Sequence, residues 1–261
     1  MRFKLTIEYA GTRYSGWQIQ KNARTIQGEI DRAVRTVTGR KDFELYGSGR
    51  TDAGVHASGQ IAHLDVVTNL PVDTLRSRLN DELPHDINIL SALAVPHRFH
   101  ARHDAVARRY VYQIARRRTA FHKAFVWWVR DPLDVPRMRS AASAFVGMRD
   151  FASFAESDEA TDQRSTRVLI DRLDIVEDGD LILVAVEGSH FLWKMVRRLV
   201  GVLVEVGRGA LDERTAARFL TEHSDAPARL TAPPSGLFLE RVRYRDESGD
   251  GVVRPLTPVG K

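Results

Sequence analysis

Apolar and polar positions in the N-terminal part of the chain alternate in short runs, separated by two stretches with helical spacing. The run 3–9 is apolar at every second position, which predicts a half-buried strand. Thr25 can cap a helix whose apolar residues recur every three or four positions, and Pro71 suits the first turn of a second helix. Short apolar runs predict further strands over 43–46, 61–67 and 87–95.

The C-terminal part continues this mixture of strands and helices. The pattern predicts strands over 106–116, 168–176, 181–186 and 236–244, and helices near 135–145, 190–206 and 212–222. Strands interleaved with helices without strict alternation indicate an α+β fold. We expect an N-terminal half over 1–104, a C-terminal half over 105–245, and a flexible Gly- and Pro-rich tail over 246–261.

A glycine-framed segment between two predicted strands displays a single aspartate. It reads Gly47-Ser48-Gly49-Arg50-Thr51-Asp52-Ala53-Gly54-Val55-His56-Ala57. Its glycines permit tight backbone geometry and let another molecule come close to the backbone. Asp52 would therefore lie on a sharply shaped loop, which is where reacting residues are often placed. The spacing alone favours an ordinary turn, because Asp-Ala-Gly is common turn chemistry.

The composition excludes several chemistries and favours a polyanionic partner. The chain has no cysteine, which excludes disulfides, thiolate nucleophiles, Cys-ligated zinc and iron–sulfur clusters. The net charge is +5 and 33 of the 39 cations are arginine, whose planar fork suits phosphate and stacks on bases, although a genome-wide arginine bias would give the same count. No apolar run approaches the ~20 residues that cross a bilayer, and no signal-peptide pattern opens the chain, so we expect a cytoplasmic protein.

Two basic segments are candidates for nucleic-acid contacts. On the strand 106–116, Tyr110 and Tyr112 share a face with two arginines, which would place an aromatic platform beside phosphate contacts. An exposed edge strand protected by its cations explains that pattern equally well. On the helix 190–206 the cations lie on the side opposite the apolar residues, and the default interpretation of that cationic side is a solvated face. Two other interpretations fit as well: a track that binds phosphates, or one arginine that turns inward to pair with a buried carboxylate.

The chain resembles the tRNA pseudouridine synthase A family over residues 3 to about 244. The segment 49–57 is close to that family's signature, and Gly201 and Arg208 fall in matching positions further on. Other blocks follow in family order: Phe99-His100-Ala101-Arg102, Arg109-Tyr110-Val111-Tyr112-Gln113-Ile114, Asp150-Phe151-Ala152-Ser153-Phe154, Phe191-Leu192-Trp193-Lys194-Met195-Val196-Arg197 and Gly236-Leu237-Phe238-Leu239-Glu240. Arg198 stands where asparagine is common and Lys194 where histidine is frequent, which could alter substrate contacts.

The resemblance implies two α/β halves whose mainly antiparallel sheets flank a basic central cleft. It makes Asp52 the catalytic nucleophile and Tyr110 the residue that packs on the target base. It makes Arg50 the arginine that holds the flipped nucleotide, Arg197 the partner of the aspartate, and Leu237 an apolar wall of the pocket. It also implies a cytoplasmic homodimer that binds tRNA and isomerises uridine to pseudouridine at positions 38, 39 and 40 of the anticodon stem-loop.

This chemistry rearranges atoms within one nucleotide, so we expect no cofactor and no metal. The bond from ribose C1′ to uracil N1 breaks, and C1′ joins C5. The residues leave open whether Asp52 attacks the sugar or removes a sugar proton. Two rival functions also remain: a non-catalytic RNA-binding protein, and a metal-dependent RNA nuclease that uses Asp52 and the cluster of His97, His100 and His103. The spacing of those histidines fits a basic loop better than a metal site.

Overall fold

The computed structural model describes residues 1–156, 165–245, 247–248 and 251–259. The chain forms two compact units, one of Met1–Val106 with Phe238–Gly249 and one of Ala107–Leu237 with Asp250–Lys261. In chain order the elements are β1 (Arg2–Tyr9), α1 (Ile26–Thr38), β2 (Glu44–Gly47), β3 (His56–Asp65), α2 (Val72–Glu82), β4 (Ile87–Val95), β5 (Ala105–Ala115), β6 (Trp127–Trp128), α3 (Val135–Ser143), β7 (Gly147–Asp150), β8 (Arg167–Asp178), β9 (Leu181–Gly188), α4 (Met195–Gly207), α5 (Glu213–Arg218), α6 (Ala226–Arg229) and β10 (Leu237–Tyr244).

In the first unit, α1 and α2 accompany a mainly antiparallel sheet. β1 lies between β3 and β4 and is antiparallel to both. The other edge of β3 carries β2 antiparallel along its C-terminal part and β10 parallel along its N-terminal part. The strand predicted near 236–244 corresponds to β10. From Phe238 onward it belongs to the first unit, where it pairs with β3, and not to the predicted C-terminal half.

The core of the first unit follows the predicted spacing. Alternate residues of β1 are fully buried, with half-exposed neighbours between them. Thr25 accepts the N–H of Gly28 at the start of α1, and Gly39 ends that helix in the left-handed region with φ of +66°. The two helices predicted in this part of the chain are confirmed as α1 and α2, since each buries the apolar residues whose spacing predicted it.

The second unit also has a mainly antiparallel sheet. β9 lies between β5 and β8, β7 pairs with β8, and the short β6 pairs in parallel with the end of β5. The predicted hairpin between β8 and β9 is confirmed, with Gly179 at φ of +56° in its turn. With mainly antiparallel sheets and separate helices in both units, the predicted α+β class is confirmed.

The helix α4 corrects two expectations. It begins at Met195 rather than near 190, because Lys194 has a φ of +61° that a right-handed helix cannot include. The helix is also buried along its length except at Arg197 and Glu205, which are half-buried. The predicted solvated cationic face is therefore wrong for Arg198, which keeps only 6% of its surface exposed.

The described residues 251–259 pack on the second unit, where the sequence predicts a flexible tail. Val253 and Val259 contact a buried apolar cluster of Ala115, Val126, Leu181 and Leu183. The side-chain oxygen of the buried Gln113 accepts the backbone N–H groups of Leu256 and Thr257 at 2.7 and 3.2 Å. Residues 251–259 contain too few apolar side chains to form a core of their own, and contacts with the core of the second unit order them instead.

Candidate active site

Arg50 and Asp52 lie on the loop over residues 48–55, which joins β2 to β3 in the first unit. Asp52 is half-buried and Arg50 is exposed. The backbone N–H of Val55 donates to the Asp52 carbonyl at 3.1 Å, and Gly54 has a φ of +77°. The segment is therefore a tight turn, as its spacing predicts, and it also displays the candidate nucleophile.

The segment that follows β1 packs backbone against backbone on this loop. A Cβ on Gly16, which has a φ of +90°, would lie 2.5 Å from the Thr51 carbonyl oxygen. A Cβ on Gly11 would lie 1.9 Å from the Val55 carbonyl oxygen. The N–H of Trp17 donates to the Thr51 carbonyl at 3.1 Å. These contacts fix the loop backbone on both sides of the aspartate.

A buried polar network holds the loop from the sheet side. Gln60 on β3 is fully buried, and its Nε2 donates to the Gly49 carbonyl at 3.1 Å. Its Oε1 accepts the Ser48 hydroxyl at 2.8 Å. Tyr9 and Thr51 share a hydrogen bond of 2.8 Å between their hydroxyl groups. Burial raises the pKa of the Tyr9 phenol well above its usual range, so this network stays uncharged at neutral pH.

Tyr110 lies on β5 in the second unit, in register with Val186 of β9. Its ring meets the edge of Phe191 with centroids 5.2 Å apart. Tyr112, two residues further on the same strand, is fully buried, and its hydroxyl donates to the Pro233 carbonyl at 2.7 Å. The interpretation of this strand as an exposed edge is wrong, since its residues are buried from Arg109 onward.

Arg197 is fixed by the segment 230–232, which lies directly on the surface of α4. Its Nε donates to the Ala232 carbonyl at 2.8 Å, and the Ala232 N–H returns a bond to the Arg197 carbonyl at 3.1 Å. Gly201, one turn along the helix, permits this approach, because a Cβ there would lie 1.6 Å from the Leu230 carbonyl oxygen. Burial raises the pKa of Tyr112, and the positive charge of Arg197 opposes that rise. The guanidinium therefore lies close enough to the phenol to interact with it electrostatically.

Leu237 follows a short turn that packs on the same tyrosine. The turn is a single 3₁₀ turn over Pro234–Gly236, and Leu237 is 5% exposed. A Cβ on Gly236 would lie 2.6 Å from the ring of Tyr112, so only glycine fits against that ring. The segment 230–237 therefore connects the Arg197 side chain, the Tyr112 hydroxyl and the predicted apolar wall within the second unit.

A cavity of about 640 Å³ opens beside Arg197 in the second unit. Its lining residues are Glu156, Lys194, Arg197, Arg198, Asp225, Ala228, Arg229 and Thr231. Glu156 accepts from Lys194 at 3.2 Å and also pairs with Arg198. Burial lowers the pKa of Arg198, and the carboxylates of Glu156 and Asp225 oppose that effect. Because cations outnumber carboxylates in its lining, the cavity favours an anion.

The histidine cluster forms part of a loop structure. His100 accepts the backbone N–H groups of Arg102 and His103 on its Nδ1, at 3.2 and 3.3 Å. Burial and the neighbouring His103 lower the pKa of His100. Across the ranges that the structure describes, no group of three or more Asp, Glu or His is placed to hold a metal ion.

Comparison with known proteins decides the family. The model of a family described as tRNA pseudouridine synthase matches residues 5–104 and 141–245. The chain belongs to the tRNA pseudouridine synthase family. The predicted resemblance is thereby confirmed, and so is the prediction that the chain is an isomerase of this kind. Arg50, Asp52, Arg197 and Leu237 lie within the matched residues of this synthase family, whereas Tyr110 lies between them.

Curated relatives from bacteria support the same family over nearly the full chain. The tRNA pseudouridine synthase A of Nitrobacter hamburgensis is 40% identical over 246 residues, which are 93% of this chain and 99% of that protein. The tRNA pseudouridine synthase A of Geobacter sp. is 42% identical over 245 residues, or 92% and 98% of the two chains. A solved Cbf5-Nop10-Gar1 complex covers 77% of this chain and 54% of its own, at 10% identity and a TM-score of 0.33, which is too low to carry an argument.

Sequence reasoning missed the side chains that hold the synthase loop. Gln60 and Tyr9 carry no motif of their own, and the predicted strand over 61–67 begins after the glutamine. Only the structure shows that the polar Gln60 lies at a buried position between a half-buried and a buried neighbour on β3. The role of the segment 230–237 had no local signal beyond its prolines and Gly236.

Proposed function

We propose that this enzyme isomerises uridine to pseudouridine at positions 38, 39 and 40 in the anticodon stem-loop of tRNA, with Asp52 as nucleophile and without a cofactor. The observation that carries the proposal is the loop of residues 48–55, which displays a half-buried aspartate on a backbone held from two sides in a member of this family. A catalytic carboxylate requires this kind of fixed placement.

The carboxylate has one task at the sugar in either of two routes. It attacks C1′ as the base leaves, or it removes a sugar proton so that the base can leave. Both routes need the ionised form, and a paired arginine favours that form. By its resemblance Arg197 is that partner, and its guanidinium is already oriented by the Ala232 carbonyl.

The target uridine must leave its stack before it can react, which costs a few kcal/mol. Arg50 is exposed on the same loop as Asp52, where a guanidinium can hold the displaced nucleotide by its phosphate. Tyr110 would cover the base, and Leu237 would supply an apolar wall, so that water is kept from C1′ while the base turns. The resemblance supports these roles. It also supports the assignment of the Asp52 loop to the N-terminal unit.

The RNA partner is supported by charge as well as by family. The excess of cations around the cavity beside Arg197 suits a backbone phosphate. We further propose a homodimer that carries the tRNA across both subunits and works in the cytoplasm. Among the described residues, no helix has the length and apolar character to cross a membrane.

The site assignment is tested with tRNA transcripts that keep a single anticodon-arm uridine. Separate transcripts carry uridine at position 38, 39 or 40, and a fourth carries it only elsewhere in the arm. We expect pseudouridine in the first three alone, with the RNA backbone intact and with activity unchanged in excess chelator. Cut RNA, or activity lost with the chelator, would favour the nuclease; modification of the fourth transcript would refute the assigned positions.

A further inference from the structure

We propose that Gln60, acting together with Tyr9, is a positioning residue for the Asp52 loop. The inference rests on the proposed catalytic role of Asp52 and adds what places it. Gln60 itself contacts the loop three residues before the aspartate. It therefore acts on the reaction through the loop backbone and not through the substrate.

Both ends of the Gln60 amide are used. Nε2 donates to the Gly49 carbonyl at 3.1 Å, and Oε1 accepts the Ser48 hydroxyl at 2.8 Å. The amide thus holds two consecutive residues where the chain leaves β2 and enters the loop. Since Gln60 is fully buried on β3, its side chain has a fixed frame from which to hold them.

Tyr9 extends the hold to the residue next to the aspartate. The second hydrogen on Gln60 Nε2 points to the Tyr9 hydroxyl at 3.5 Å, and that hydroxyl shares a bond of 2.8 Å with Thr51. Tyr9 is 4% exposed at the end of β1, the strand paired with β3. The paired strands β1 and β3 therefore bind the loop at residues 48, 49 and 51 through one continuous hydrogen-bond network.

The network has the properties that precise positioning requires. It is uncharged, so it adds no competing charge beside the carboxylate, and it is buried, so water does not replace its bonds. A displacement of about 1 Å at a reacting group can cost about 10²-fold in rate. Loss of the amide donor should therefore slow the chemical step far more than it weakens RNA binding.

The test exchanges the amide for a carboxylate of the same shape. In Gln60→Glu, the ionised side chain has no hydrogen to give to the Gly49 carbonyl. We expect a single-turnover rate about 10²-fold below wild type at pH 8, with the dissociation constant for the tRNA within about twofold. Lowering the pH protonates the introduced group, whose pKa burial raises, and so returns one donor.

The ratio of variant to wild-type rate is therefore expected to rise as the pH falls from about 8 to about 6. The ratio removes the effects of pH that both proteins share, and Tyr9, the titratable group in contact with residue 60, stays protonated over this range. A ratio that is flat and close to one would overturn the proposal. A loss of binding equal to the loss of rate would do the same.

The chain offers a matched control in Gln113. It is also fully buried, and its Nε2 donates to the Phe125 carbonyl at 2.9 Å and to Thr257 at 2.8 Å. Gln113→Glu should lower the unfolding temperature as Gln60→Glu does, but leave the single-turnover rate of the folded protein and its pH profile unchanged. An equal rate loss in both variants would show a general effect of buried carboxylates.

Tyr9→Phe covers the case in which Gln60→Glu fails to fold. It keeps the ring and removes one hydroxyl, so we expect about a 10-fold lower rate. Because no titratable group is introduced, the ratio of the Tyr9→Phe rate to the wild-type rate should not change with pH. A wild-type rate in Tyr9→Phe would contradict the network. Wild type and Asp52→Ala are assayed alongside: failure of the proposed function appears as equal rates in those two, whereas failure of this inference appears as wild-type rates in the network variants alone.

Discussion

The Asp52 loop and the first turn of α4 place their candidate site residues in different physical surroundings. The loop is fixed by glycine contacts and by buried, uncharged hydrogen bonds from Gln60 and Tyr9. The turn of α4 is surrounded by charge, with Glu156 between Lys194 and Arg198. Geometry thus dominates around the proposed nucleophile, while electrostatics dominates in the cavity where we propose that an RNA phosphate binds.

This difference predicts different responses to salt. Hydrogen bonds in a buried network are barely screened, whereas the side chains of Glu156 and Lys194 are about one third exposed and their ion pair is screened. Mutations in the loop should therefore change the rate at every salt concentration. Mutations in the charged cluster should change RNA affinity, and that change should fade as salt rises.

The largest effect in the second region is expected from Arg197→Ala. Removal of the guanidinium takes away the proposed partner of Asp52, so the single-turnover rate should fall about 10³-fold while tRNA affinity falls only modestly. Arg197→Lys keeps the charge but loses the bond that Nε gives to Ala232, and it should recover only part of the rate. An unchanged single-turnover rate in Arg197→Ala would remove this residue from the site.

A smaller effect, of about 10²-fold in rate, is expected from Gly16→Ala. The new Cβ would meet the Thr51 carbonyl at 2.5 Å and displace the loop that carries Asp52. Gly39→Ala is the control, because Gly39 also has a positive φ but has no atom within 4 Å of a Cβ. Both changes should lower the unfolding temperature, and equal rates for the two folded variants would show that loop geometry does not matter.

The smallest effect is expected from Glu156→Gln, which leaves Lys194 and Arg198 without their shared carboxylate. We expect tRNA binding about 2- to 5-fold tighter at low salt, no difference at high salt, and an unchanged rate. Glu177→Gln removes a carboxylate paired with Arg116 and Arg139 elsewhere in the second unit and should leave binding unchanged. If the two variants bind alike, the cavity beside Arg197 does not hold a phosphate.

The sequence predicted what depends on neighbours along the chain. The cap at Thr25, the alternation of β1 and the turn at Asp52 are all set within a few residues, and each is present in the structure. The start of α4 was misplaced because apolar spacing does not reveal the positive φ of Lys194. Composition alone also suggested a flexible tail where residues 251–259 pack.

What the sequence could not predict depends on contacts between distant segments. Gln60 and Tyr9 are 51 positions apart, and nothing local shows that they share one network with Thr51. The support for Arg197 comes in the same way from Ala232, 35 positions away. Motifs therefore identified the candidate reacting groups, while the side chains that place them became visible only in the folded chain.

The central claim, that the Asp52 carboxylate performs the chemistry, is tested most directly with Asp52→Asn. The variant keeps the shape of the side chain, but it removes the charge and replaces one acceptor oxygen with an amide donor. Tritium release from 5-labelled uridine in a bound tRNA transcript is followed under single-turnover conditions, with the dissociation constant measured alongside. We predict a release rate at least about 10⁴-fold below wild type with affinity within about twofold. Release at the wild-type rate would contradict the account.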